Sequence, residues 1–133
     1  MNYEYLMSRL LDKQEDFLDE KTHQYTLERY LEVKSNYVIP FGIEEGIDEA
    51  WLWAFKEGVL KEFDHLTTDE FRYLLTEIFI QMVQKGAKLE DYSDSNFDMT
   101  KVDNNDLSYI NDLVDFIIRN PQYGQDGNGF WFV

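Results

Sequence analysis

The chain has 133 residues, with 27 acidic against 12 basic side chains, a formal net charge of -15 and no cysteine. That length suits one domain with one buried core, and the missing cysteine excludes a disulfide framework and thiolate metal sites. The charge disfavours direct contact with nucleic-acid backbones and anionic membranes, which both call for cationic side chains.

Acidic disordered chains are poor in aromatics, whereas this one is 17% aromatic, so the composition describes a folded domain with more negative charge than solubility requires. The opening Met-Asn-Tyr-Glu-Tyr has no basic segment ahead of an apolar run, and no stretch approaches the roughly 18 apolar residues of a membrane span. A soluble, unprocessed, cytoplasmic protein is expected.

Taken in chain order, Tyr3, Leu6, Met7, Leu10, Leu11, Phe17 and Leu18 recur at helical spacing, interrupted by Gln14, and predict a first helix. Between Thr26 and Val38, Leu27, Tyr30, Leu31, Tyr37 and Val38 share a face opposite Glu28, Arg29, Glu32 and Asn36. A helix fits this pattern, although the β-branched and tyrosine content also suits strands. Pro40 and Gly42 then break the chain. Residues 44–63 predict a helix with Ile47, Ala50, Trp51, Ala54, Phe55 and Val59 inward.

Thr67 and Glu70 have the spacing of a capping box, and Phe71, Leu74, Leu75, Ile78, Phe79, Met82 and Val83 form the next stripe, with Gly86 as its stop. A polar loop is expected from Lys88 to about Asn104. A last helix then turns Leu107, Ile110, Leu113, Val114, Ile117 and Ile118 inward and ends before Asn120-Pro121. The apolar end, Phe130 to Val133, is expected to dock on the bundle or pair as a short strand, with Tyr37–Ile39 as candidate partner. Together these elements predict a mainly α fold: one acidic domain over residues 1–133, a bundle of about five helices with an aromatic C-terminal tail and room for a minor short strand pair.

The acidity is concentrated in residues 1–21, 44–66 and 89–106, whereas 22–43 and 67–88 each balance to zero. Glu44, Glu45, Asp48 and Glu49 open a predicted helix, where acids complement the positive end of its dipole. Glu90, Asp91, Asp94, Asp98, Asp103 and Asp106 crowd a predicted loop, which has no such need. The functional account is a negative surface that steers a basic partner. Trp53 and Leu60, predicted on the far side of their helix beside Glu49 and Lys56, would serve as an apolar anchor if exposed.

Other chemistries match less well. Glu20 with His23 and Glu62 with His65 repeat the Glu-x-x-His spacing of di-iron bundles, but both pairs fall at predicted helix ends. Asp94, Asn96 and Asp98 alternate like calcium-loop ligands, yet Met99 stands where the turn glycine belongs and Asn105 where the bidentate glutamate does. There is no Gly-x-Ser-x-Gly, phosphate-binding glycine loop or His-Glu-x-x-His. No enzyme activity, cofactor or metal is therefore expected.

Small size, helices, surplus acid and aromatic anchors resemble, in physical type, immunity proteins that plug the basic active sites of nuclease toxins, and phage inhibitors that imitate nucleic acid. No sequence motif of either group is matched. The resemblance implies a non-catalytic inhibitor of a basic protein, with Glu44, Glu45, Asp48, Glu49, Trp53, Glu90, Asp91, Asp94, Asp98 and Asp103 as the contact set. A carboxylate–histidine metalloprotein and a structural or adaptor subunit are the alternatives.

Overall fold

A computed structural model describes residues 21, 26–35, 50–62, 66–91, 96–104, 106–121 and 129–133. Among them are five helices: α1 (Leu27–Ser35), α2 (Leu52–Glu62), α3 (Thr68–Gln84), α4 (Thr100–Asp103) and α5 (Tyr109–Arg119). Three short strands, β1 (Ala50–Trp51), β2 (Leu89–Asp91) and β3 (Phe130–Phe132), form one sheet in the order β1-β3-β2. The fold is mainly α, as the sequence predicts. The expected helix over residues 3–18 lies outside the described residues.

The longest helix, α3, is specified at both ends. Thr67 is extended (φ -68°, ψ 159°); its hydroxyl accepts from the Glu70 backbone N–H at 3.1 Å, and the Glu70 carboxylate accepts from the Thr67 N–H at 2.9 Å. This reciprocal pair satisfies two of the donors that a helix start leaves without partners. At the other end Gly86 N–H donates to the Val83 carbonyl and Ala87 N–H to that of Met82. Closing the helix in this way needs a left-handed residue, which Gly86 supplies with φ 105°. Between the caps, Phe71, Leu74, Leu75, Ile78, Phe79 and Met82 are buried along one stripe.

The closing turn of α3 delivers the chain into the sheet. Lys88 and Val133 exchange backbone hydrogen bonds at 2.9 Å, extending the ladder in which Leu89 faces Phe132 and Asp91 faces Phe130. The tail is therefore the central strand. Both its edges are occupied, by Ala50–Trp51 on one side and Leu89–Asp91 on the other, in place of Tyr37–Ile39, which lie outside the described residues. Strand alternation turns Phe130 and Phe132 into the core and leaves Trp131 half-buried. Phe132 meets Phe79 edge to face at 5.2 Å, while Phe130 joins Phe97 and Phe116 at 5.4 and 5.7 Å.

Three expectations are corrected. The helix predicted over 44–63 starts only at Leu52, because the backbone of Ala50 and Trp51 is engaged by β3. Its inward line is then Leu52, Lys56 and Val59, while Ala54 is exposed and Phe55 half-buried. The polar loop from Lys88 to Asn104 contains β2 and α4, and it sends Leu89 and Val102 into the core with Phe97 and Met99 packed against it. Leu107, expected inward, is 37% exposed, because α5 begins two residues later at Tyr109.

Among the described residues, no helix is long and apolar enough to cross a membrane. Truncating the fully buried Phe132 to alanine should cost about 3–5 kcal/mol in urea unfolding. A loss below about 1 kcal/mol would contradict its central place.

Candidate partner-binding surface

Of the predicted contact residues, Glu44, Glu45, Asp48, Glu49 and Asp94 lie outside the described residues. Trp53 is half-buried and already engaged with a neighbour, so it is not a freely exposed anchor. Lys56, expected beside it on an outer face, is only 5% exposed and reaches Glu57 at 3.5 Å. Its long aliphatic stem lets a lysine occupy an inward helical position.

The described part of the block from 89 to 106 comprises β2, α4 and the residues around α4. Glu90 and Asp91 are half-buried on β2, an edge strand; Asp98 is exposed ahead of α4, and Asp103 is exposed as its last residue. Asp106 is exposed just beyond, and its backbone N–H donates to the Lys101 carbonyl at 2.9 Å, folding the turn back on α4. Lys101 is the only base in 89–106, and its ammonium is held by Asp112 of α5 at 3.3 Å.

Two of these acids do have local work, contrary to the expectation that the loop needs none. Asp98 is kept below the usual carboxylate range by hydrogen bonds from the Thr100 hydroxyl and backbone N–H, the latter at 2.9 Å. Asp106 is lowered in the same way by the Ser108 backbone N–H, at 3.0 Å, and the Ser108 hydroxyl. Each carboxylate braces a helix start. The side chains of Glu90 and Asp103, by contrast, make no ion pair or hydrogen bond among the described residues.

A cleft of about 470 Å³ opens between the end of α3, β2 and the α4–α5 turn. Its walls include Val83, Leu89, Val102, Leu107 and Tyr109. Tyr109 is 3% exposed, and burial pushes its phenol up to about 12. Sequence periodicity does not signal this cleft, because it is built where three elements end.

One further constellation escapes sequence reasoning. The Lys85 ammonium donates to the Ser35 hydroxyl, which lies 3.0 Å from the Glu32 carbonyl and 3.3 Å from Gln81 Oε1. Burial lowers the Lys85 pKa, partly offset by the Glu32 carboxylate. A serine facing a lysine is a pairing that can activate a nucleophile. Here Ser35 has no exposed surface and its proton faces two acceptors, so the group acts as a polar tie between α1 and α3.

His23 and His65 lie outside the described residues, and among the described ones no three His, Asp or Glu side chains are grouped to hold a cation. No family model matches the chain, nor does any curated protein or solved structure.

Asp98→Ala should lower the melting temperature at neutral pH. Since folding lowers this carboxyl's pKa, its contribution is present above the ordinary aspartate range and is lost as pH falls through the folded value. The gap between wild type and variant should therefore close on acidification; a gap constant with pH would rule out the hydrogen-bonded carboxylate as its cause. Ser35→Ala should cost about 1–3 kcal/mol in chemical unfolding, because it strips a buried partner from Lys85 and Gln81.

Proposed function

We propose that this chain is a non-catalytic acidic binding protein that captures and inhibits a basic protein, in the manner of an immunity protein that neutralises a nuclease-type toxin in the cytoplasm. The observation that carries this reading is the sign of the surface around α4. Asp98, Asp103 and Asp106 are exposed there, and the only lysine in the same stretch is already held by Asp112. A surface of one sign raises the rate of encounter with an oppositely charged partner and disfavours wrong ones.

The mechanism is electrostatic capture followed by occlusion. Carboxylates occupy the positions where the partner's Lys and Arg side chains would otherwise meet phosphate, and charge-assisted hydrogen bonds hold them there. No bond is made or broken. Excess negative charge also explains why the protein would not compete for nucleic acid itself.

The test uses tagged protein to capture partners at low salt, with elution by high salt, followed by association kinetics on the purified pair. Association should slow about tenfold or more between low and physiological ionic strength. The combined substitution Glu90→Gln, Asp91→Asn and Asp103→Asn should slow it comparably at low salt, leaving the bracing residues Asp98 and Asp106 in place. Association insensitive to both salt and the triple substitution would overturn the proposal.

A further inference from the structure

Tyr109 brings an unused polar group to a largely apolar wall. It is 3% exposed and lines the cleft of about 470 Å³ between the end of α3, β2 and the α4–α5 turn. Its hydroxyl makes no hydrogen bond among the described residues, yet it is not one of their sealed, unpaired side-chain atoms, which are Arg72 Nε, Thr76 Oγ1 and Asp115 Oδ1. The little surface that Tyr109 keeps therefore includes its oxygen. Burial pushes the phenol up to about 12, so the hydroxyl stays neutral and can donate at ordinary pH. Lys88 is the only charged residue of the lining; it is exposed, and its ammonium makes no ion pair among the described residues. Asp103 and Asp106 adjoin the lining residues Val102 and Leu107 in sequence but are not part of the lining, and the Asp106 carboxylate is turned to the Ser108 N–H at 3.0 Å.

From these two groups we infer that the cleft binds a small apolar monocarboxylate, its hydrocarbon body against Leu89, Val102 and Leu107 and its carboxylate taken by the Tyr109 hydroxyl and the Lys88 ammonium. The site goes beyond the capture of a basic protein and does not depend on it. The volume, about 470 Å³, lies within the roughly 300–1,000 Å³ of small-molecule sites, which combine apolar walls with a few polar groups that fix orientation. A pure hydrocarbon is disfavoured, because it would seal the Tyr109 hydroxyl from water without supplying a partner. Lys88 then discriminates among polar ends: a carboxylate gains a charge-assisted contact, an alcohol gains only a neutral hydrogen bond, and an ammonium meets a like charge.

The test titrates octanoate, octanol and octylammonium into the full chain at neutral pH and physiological ionic strength, which screens the negative charge elsewhere on the chain, while methyl NMR follows Val102 and Leu107. Octanoate should shift both residues and bind about tenfold tighter than octylammonium, with octanol between them. Lys88→Gln should bring octanoate down to the affinity of octanol and leave octanol unchanged. Tyr109→Phe should weaken both about fivefold while the thermal midpoint stays at the wild-type value, since the lost hydroxyl has no partner in the protein. Octylammonium binding as tightly as octanoate, no shift at Val102 and Leu107 with any of the three, or full octanoate affinity in Lys88→Gln would each overturn the site. Lys88 is exposed, so that variant keeps the test decisive even if Tyr109→Phe fails to fold.

Discussion

The structure depends on the insertion of Phe130–Phe132 between two strands that are distant in sequence. Neither β1 nor β2 pairs with the other; each is hydrogen-bonded to β3. Strands of two or three residues have little stability by themselves, so the sheet persists through what β3 buries. Phe132 locks onto Phe79 in the middle of α3, and Phe130 onto Phe116 of α5 and Phe97 ahead of α4. The same three residues thus close the ladder and fasten the helices around it. Because the central strand is far in sequence from both of its partners, its pairing carries a corresponding cost in loop-closure entropy.

Legibility in the sequence follows from how local each determinant is. The capping box at Thr67, the stripe from Phe71 to Met82 and the stop at Gly86 all lie within one helix, and all are readable. The inward residues of α5, from Ile110 to Ile117, are readable for the same reason. By contrast, Ala50 and Trp51 fall in phase with a helical stripe, and a two-residue strand is too short to display alternation. Only the distant Trp131 and Phe132 decide their conformation. Leu89 and Val102 stand among acids, so local composition describes a loop although both side chains enter the core. The cleft is less legible still, because its walls come from the end of α3, β2, α4 and the start of α5, which are separated in sequence.

The charge has several physical origins. Asp115 lies between Arg72, at 2.7 Å, and Arg119, at 3.2 Å, joining α3 to α5, and Asp112 secures Lys101. These acids answer bases and contribute little to an outward field. Asp98 and Asp106 differ in degree, since they are held mainly by hydrogen bonds from neutral donors, with Lys101 a lesser contributor. Such bonds favour the ionised form without cancelling its charge. A structural role and a role in attracting a basic partner are therefore compatible in the same carboxylate.

What makes the α4 region more than a charged loop is its attachment. Val102 anchors the four-residue helix from below, the Asp106 N–H ties its far end, and Lys101 links it to α5. Carboxylates on a tethered element lose less conformational freedom when a cation arrives than carboxylates on a free chain, so more of each interaction remains as affinity. The same tether brings Leu107 to the mouth of the cleft, two residues before the buried Tyr109.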